Sequence, residues 1–251
     1  FYKQPTWKRL LIVAAGPFFN FLLAVFIFII VFMYGIPNLL PVVGEMSQDS
    51  AAASAGMLAN DKILSLNGKK VHYWDDIKPI IMESEGRNID VVVERQTQEI
   101  RFTVQPKLSQ TKNIFGENVT SYLIGISPSG QTVIERKSPL AAILSSLEKT
   151  WEISKLTVIS VVKMIEGVIS PRTLGGPIFI AQVAGNQVRE GIIPFILFMA
   201  VLSINLGVIN LFPIPVLDGG HIFFYLIEMI TRREVPVKVK EWSQQIGFVV
   251  L

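Results

Sequence analysis

The chain has 251 residues, of which 50% are hydrophobic and 17% charged, and its mean hydropathy is +0.47. Soluble domains carry roughly 25% charged residues, so this composition indicates a membrane protein. The chain contains no cysteine, which excludes disulfides, cysteine-ligated zinc, iron–sulfur clusters and thiol catalysis.

Residues 1–36 are predicted to form a transmembrane helix, because residues 10–34 carry no charge and about 20 apolar residues suffice to cross a bilayer. Lys3, Lys8 and Arg9 precede this run and account for the whole net charge of +3. By the positive-inside rule they place the N-terminal end in the cytoplasm and the residues after the helix on the opposite side. Charge confined to one helix end forms no extended basic surface, so we expect no nucleic-acid partner.

Residues 41–107 are predicted to form a small soluble α+β domain inserted between membrane segments. Two short apolar runs, Val42–Val43 and 63–66, indicate strands, and Asn67-Gly68 is a strong hairpin turn. A second hairpin is predicted from residues 90–95 and 100–104, and one helix from residues 74–84. Residues 108–138 are predicted to be a linker, with a loop over 108–121 and one extra strand over 123–127.

Residues 139–190 are predicted to form amphipathic helices associated with the membrane. Helical periodicity over 139–169 gathers the charged residues into one arc. This helix either lies in the membrane interface with Trp151 as an anchor or covers a soluble core, and we favour the interface. Pro171 ends it, and Pro177 is predicted to open a new helix after a glycine-rich turn.

Residues 191–232 are predicted to form a second transmembrane helix, because the run from Gly191 to Leu217 is uncharged. Basic residues follow it and return the chain to the cytoplasm; they are Arg232, Arg233, Lys238 and Lys240. Residues 233–251 are predicted to be a cytoplasmic loop and the start of a last transmembrane helix. The predicted fold class is therefore an α-helical polytopic membrane protein with an inserted domain.

Several residues near the end of the second apolar run are costly at membrane depth: Asn205, Asn210, Pro213, Pro215 and Asp218. The two prolines remove backbone donors and stop a helix, and unwound backbone is tolerated inside a bilayer only where it lines a cavity. The alternative is that the helix ends at this point, with an exit loop in which Asp218 caps the next helix. On these residues alone, both readings stand.

Four stretches, in chain order, resemble the site-2 protease family of intramembrane zinc metalloproteases, especially the bacterial regulator-of-sigma type. The strongest is Asn210-x-x-Pro213-x-Pro215-x-Leu217-Asp218-Gly219. The others are Gly16-Pro17-x-x-Asn20, the turn Leu174-Gly175-Gly176-Pro177, and residues 54–71 with Asn67-Gly68, which are similar to the family's PDZ domain. Asn60 stands where the family has glycine, and asparagine also tolerates left-handed backbone.

The resemblance implies a Zn²⁺ cofactor, with Asp218 as one ligand. In the family a His-Glu-x-x-His helix supplies two further ligands and the glutamate that activates water, which leaves one zinc position open. Asn210 is expected to position substrate or to stabilise the oxyanion. Pro213 and Pro215 are expected to contact the substrate segment.

The family's PDZ domain implies a second contact with substrate. A PDZ domain binds an extended peptide as an added strand, and Val42 and Val43 are the residues we expect to meet it. A domain that only filters substrates by size is the equal alternative.

The sequence departs from the family in one respect: His72 and His221 are its only histidines, and neither belongs to a His-Glu-x-x-His motif. We expect the zinc helix to lie before Phe1, so that this chain alone neither holds zinc nor cleaves. For His221 we expect a hydrogen-bonding or helix-end role, and for His72 a structural one.

The implied function is cleavage of transmembrane segments or remnant signal peptides, with anti-sigma factors among the candidate substrates, in the bacterial inner membrane and with the PDZ domain extracytoplasmic. The alternative is a non-catalytic PDZ-bearing membrane scaffold that has lost its zinc site. A transporter built on a broken helix is disfavoured by the few spans and the absence of an inverted repeat.

Overall fold

The computed structural model describes residues 4–47, 49–170, 176–233, 235–236, 238–239, 242–243 and 245. The chain divides into two compact units, which we call the helical unit (residues 1–34 and 137–251) and the inserted domain (residues 35–136). The helices of the described residues are, in chain order, α1 (Thr6–Tyr34), α2 (Ala51–Ser54), α3 (Ile77–Glu83), α4 (Pro139–Ile165), α5 (Pro177–Glu190), α6 (Ile192–Leu211) and α7 (Asp218–Thr231).

Helix α1 is the centre of the helical unit, because α4, α6 and α7 all pack against it. Helices α1 and α6 are each long and apolar enough to cross a membrane by length and composition. Large apolar side chains on α1 remain exposed, among them Phe18 and Phe19, which are 60% and 61% exposed. Apolar surface of this extent is what lipid contact requires and what water disfavours.

The segment 191–232, predicted as one transmembrane helix, consists of two helices. Helix α6 ends at Leu211, a turn occupies residues 212–217, and α7 begins at Asp218. Pro213 and Pro215 lie in the turn and provide no backbone N–H to continue the helix. The helix therefore ends before the prolines, as both readings of this stretch predicted, and the prediction of a single helix over 191–232 is wrong. That the turn lies at membrane depth stays a prediction.

Helix α4 confirms the helix predicted over 139–169, with Pro139 in its first turn and its end at Ile165. Its buried residues are small or hydroxylated (Ala142, Ser146 and Thr150), while Trp151 is 73% exposed. Pro177 opens α5 as predicted. The rest of the predicted glycine-rich turn, and much of the predicted last membrane segment at 233–251, lie outside the described residues.

The described residues of the inserted domain form ten strands: β1 (Ile36–Leu39), β2 (Val43–Met46), β3 (Lys62–Leu66), β4 (Lys69–Lys70), β5 (Ile89–Arg95), β6 (Gln98–Val104), β7 (Lys107–Lys112), β8 (Asn118–Leu123), β9 (Ile126–Pro128) and β10 (Thr132–Glu135). An antiparallel sheet has the order β4-β3-β5-β6, and β1 pairs with β10, β2 with β9 and β7 with β8. Alternate residues of β5 point into one apolar core. Strand β3 adds Ile63 and Leu66 on either side of a register shift, and α2 and α3 complete the core.

Several turn predictions are confirmed. Asn67 and Gly68 join β3 to β4 with φ of 49° and 74°, the left-handed values that a two-residue Asn-Gly turn requires. The predicted second hairpin is β5 with β6. Asn60 has φ of 71°, so the residue that replaces the family's glycine does adopt left-handed backbone.

The segment 108–121, predicted as a loop, is instead mostly the hairpin of β7 and β8. The prediction was wrong because both faces of this hairpin are largely polar, so no apolar period marks it. The Asn113 side chain closes its turn by accepting hydrogen bonds from the N–H groups of Phe115 and Glu117. The compact domain also extends beyond the predicted 41–107, because β1 and β2 pair with strands that follow residue 125.

Candidate functional site

The Gly16-Pro17-x-x-Asn20 motif lies in the interior of α1. Pro17 is buried and has no N–H, which interrupts the hydrogen bonds of this helix. Gly16 and Asn20 are four residues apart and therefore share one face. Helix α6 approaches this face at Asn20, and helix α7 approaches it at Gly16.

Helix α6 contributes Ser203, Gly207 and Asn210, whose spacing of four and three residues places them along one side of the helix. The Ser203 hydroxyl donates a hydrogen bond to the backbone oxygen of Asn20 at 2.9 Å. A Cβ on Gly207 would lie 3.2–3.3 Å from atoms of Phe21 and Asn20. The absence of a side chain at Gly207 therefore lets α6 approach α1 closely.

The turn between α6 and α7 folds back over the first residues of α7. A Cβ on Gly219 would lie 2.2 Å from the carbonyl oxygen of Phe212, and one on Gly220 would lie 2.4 Å from that of Ile214. Real Cβ atoms do not approach backbone so closely, so both positions require glycine. This explains the glycine pair that follows Asp218.

Asp218 is the first residue of α7, where the helix dipole favours a negative charge. A Cβ built on Gly16 would lie 3.0 Å from Asp218 Oδ2, so the carboxylate lies directly against the backbone of α1. It makes no hydrogen bond or ion pair with the residues that the structure describes. The structure thus brings Gly16 of one predicted motif against Asp218 of another, while Asn20 contacts Ser203 and Gly207 of α6.

A carboxylate is an ordinary zinc ligand, and Asp218 fits that role in position and freedom. No group of three or more His, Cys, Asp or Glu side chains comes together within the described ranges. The zinc-ligand role of Asp218 therefore stays a prediction. His221 is half-buried one turn after Asp218, and its side chain makes no hydrogen bond to the described part of the chain. His72 is exposed in the inserted domain.

The two prolines of the turn have different surroundings. Pro213 is exposed and lines an apolar groove of about 710 Å³ between α1, α4 and α6. Pro215 is half-buried, and its Cα lies 2.5 Å from where a Cβ on Gly220 would be. Pro213 is thus accessible to a bound segment, whereas Pro215 packs against the start of α7.

Val42 and Val43 do not occupy the position that we expected for a peptide-binding strand. Their side chains are buried, Val43 completely. Val43 N–H donates to the Asp61 carbonyl, while the carbonyls of Val42 and Val43 accept from Ser129 and Asn60. Since β2 also pairs with β9, this strand has no open edge there, and the prediction that the two valines contact a peptide is corrected.

Sequence reasoning missed two polar contacts between helices. Besides the bond from Ser203 to Asn20, the Thr157 hydroxyl of α4 donates to Asn205 Oδ1 of α6 at 2.7 Å. Ser203 and Asn205 are polar residues inside an apolar run, and that signal could have identified both as interhelical contacts.

Comparison with known proteins gives consistent relatives. Residues 1–251 match peptidase family M50. A Campylobacter jejuni protein named as a zinc metalloprotease is 34% identical over 97% of this chain and 66% of its own length. An Agrobacterium fabrum protein of the same name is 35% identical over 98% and 66%.

The regulator of sigma-E protease RseP of Salmonella typhimurium is 36% identical over 86% of this chain and 48% of its own length. The chain therefore spans just under two thirds of the first two relatives and about half of the third.

Proposed function

Because the chain belongs to peptidase family M50, we propose that it is the membrane-embedded core of an intramembrane zinc metalloprotease. Its substrates would be transmembrane segments or remnant signal peptides of membrane proteins, cleaved in regulated intramembrane proteolysis. The observation that carries the proposal is the Asp218 carboxylate, which lies against Gly16 without a partner in the described part of the chain.

The energetics of that carboxylate favour a bound cation. Gly16 is seven residues from Arg9 along α1, a distance of about 10 Å into the apolar part of the helix. Complete removal of a carboxylate from water costs several kcal/mol, and Asp218, which is half-buried, bears part of that cost. The N-terminus of α7 returns only about 0.3–2 kcal/mol. A divalent cation beside Asp218 would offset the difference.

In this proposal Asp218 is one of three protein ligands of zinc, and the other two come from outside the 251 residues. Bound zinc would polarise the scissile carbonyl and activate water for attack. Asp218 itself would hold the metal and supply negative charge, and its place at the start of α7 sets that carboxylate against Gly16.

Asn210 is proposed to donate a hydrogen bond from its side-chain amide to the substrate carbonyl oxygen as negative charge develops on it. Asn210 is half-buried near the end of α6, eight residues before Asp218 and on the side of α6 that carries Gly207. A donor of this type typically contributes a factor of about 10²–10³ to the rate.

A substrate segment is proposed to reach the site along the turn 212–217. Pro213 is exposed there and borders the apolar groove between α1, α4 and α6. An apolar groove suits a segment that comes from the bilayer. Pro215, which packs against Gly220, would hold the turn rather than contact substrate.

We further propose that the protein lies in the bacterial inner membrane, with the inserted domain as an extracytoplasmic PDZ-like module. The basic residues at the N-terminal end of α1 and after α7 support this orientation. One relative is named for regulation of sigma-E, so anti-sigma factors are candidate substrates. Because Val42 and Val43 are buried, peptide capture by this module would have to use another of its surfaces.

The test compares zinc content and cleavage rate of three variants of the full-length protein in its membrane. Asp218→Asn keeps the shape of the side chain but removes its charge, so zinc occupancy and proteolysis should both collapse. Asn210→Ala should retain zinc and slow cleavage by about 10²–10³. Asn186→Ala, on the exposed side of α5, is the matched control and should change neither.

Unchanged zinc in Asp218→Asn would refute the ligand assignment even if activity fell. A parent protein that binds no zinc and cleaves nothing would favour the non-catalytic scaffold instead.

A further inference from the structure

Helices α1 and α7 are joined by a buried ion pair distant from the candidate metal site. The side chains of Arg9 and Glu228 are only 7% and 2% exposed, and Arg9 Nη2 lies 3.9 Å from Glu228 Oε2. The Arg9 guanidinium carbon also lies 5.5 Å from the centre of the Tyr225 ring. The N–H of Val235, four residues past the end of α7, donates to Glu228 Oε1 at 3.1 Å, so the chain after α7 returns to the same carboxylate.

The spacing along the two helices relates this pair to Asp218. On α1, Gly16 is seven residues from Arg9, and on α7, Asp218 is seven residues from Tyr225. Seven residues are almost two full turns, so both members of each set lie on one face. Gly16 meets Asp218 at one level and Arg9 meets Tyr225 and Glu228 at the other, which defines one antiparallel register.

Apolar packing alone specifies such a register weakly. Phe224 is buried on α7, but apolar side chains pack in many registers, and lipid gives no hydrophobic drive to prefer one. A slip of one turn would move Asp218 about 5.4 Å along α1 and away from Gly16. On α7 the residues about one turn from Glu228 are Phe224, Tyr225 and Thr231, which carry no carboxylate. A slip of one turn would therefore separate Arg9 from Glu228 without bringing another carboxylate of α7 into its place, so the ion pair discriminates between registers.

We propose that Arg9 and Glu228 are positioning residues that fix the register of α7 on α1 and thereby hold the Asp218 carboxylate at Gly16. The consequence for zinc rests on the proposed function. The register itself does not, and it is tested without metal or substrate.

The test measures disulfide formation in the membrane-embedded chain, which contains no other cysteine. The reporter pair is Gly16→Cys with Asp218→Cys, since bridged Cβ atoms lie about 3.8 Å apart and these two side-chain positions adjoin. The control pair, Asn20→Cys with Ser203→Cys, reports the contact of α1 with α6. Each pair is combined with Glu228→Gln, which removes the negative charge that Glu228 presents to Arg9.

We expect Glu228→Gln to slow cross-linking of the reporter pair about tenfold or more, as befits the loss of a buried ion pair, and to leave the control pair within about twofold. Equal rates for the reporter pair with and without Glu228→Gln would overturn the proposal. An equal loss at both pairs would also overturn it, since the ion pair would then stabilise the whole unit rather than one register.

A second background keeps the test informative if Glu228→Gln fails to fold. Arg9→Met with Glu228→Leu replaces the pair by apolar side chains, a change that often preserves or raises stability. The reporter pair should again cross-link more slowly while the control pair is unchanged. An unaltered reporter rate in this background would show that apolar packing sets the register and would refute the positioning role.

Discussion

Replacing Gly219 by alanine should destabilise the helical unit, because the new methyl group would occupy space held by backbone. It would lie 2.2 Å from the Phe212 carbonyl oxygen and 2.5 Å from the carbonyl carbon of Leu211. Ordinary contacts are about 3.5 Å, so the turn would have to move by roughly 1 Å. Overpacking of this kind costs about 1–3 kcal/mol, or roughly 3–10 °C in the melting temperature of a chain this long.

Gly185→Ala is the matched control for this prediction. Gly185 lies in the interior of α5, and a Cβ there would meet no atom within 4 Å. Alanine is the better helix former by about 0.5–1 kcal/mol, so Gly185→Ala should leave the melting temperature unchanged or slightly raised. The assay is thermal unfolding of both variants in the same detergent. A Gly219→Ala protein as stable as the parent would refute the close approach of the turn to α7.

Three further outcomes are expected. Residues 35–136 in isolation should melt cooperatively, whereas 41–107 should not, because the shorter piece lacks the partner strand of β2; a cooperative melt of 41–107 would contradict this. Cysteine at Lys69 should react with an impermeant reagent on intact cells and cysteine at Lys238 should not, and the reverse pattern would overturn the orientation. Thr157→Val should lower unfolding stability by about 1 kcal/mol through loss of its bond to α6, measured against the parent in denaturant; no change would mean that the bond contributes nothing.

The site elements that could be predicted from the sequence are those with a local cause. Pro213 and Pro215 cannot continue a helix, so these two nearby residues are enough to predict the break before Asp218. The Asn67-Gly68 turn is local in the same sense. The metal-ligand role of Asp218 depends on resemblance to a family and stays a prediction.

The elements that sequence reasoning missed are set by partners far along the chain. Val42 and Val43 were predicted to contact a peptide. In the structure the N–H groups of Ser129 and Asn60 donate hydrogen bonds to their carbonyls. Glu228 is a charged residue inside the apolar α7, and such a residue needs a partner of opposite charge. That Arg9, 219 residues earlier, is that partner follows only from the antiparallel contact of α1 and α7.

The glycines near Asp218 show why the site is costly to build. Glycine inside a helix is about 1 kcal/mol less favourable than alanine, and α1, α6 and the first turn of α7 contain Gly16, Gly207, Gly219 and Gly220. At each of the four a Cβ would press on another part of the helical unit, at 2.2–3.3 Å. These glycines thus lower helix stability but allow the elements of the helical unit to approach closely. A packed core of ordinary side chains would not need such an approach. The close approach at Gly207 joins α6 to α1, those at Gly219 and Gly220 hold the turn 212–217 against α7, and that at Gly16 brings the Asp218 carboxylate against α1. A larger residue at any of the four would therefore move one of the elements that position this carboxylate.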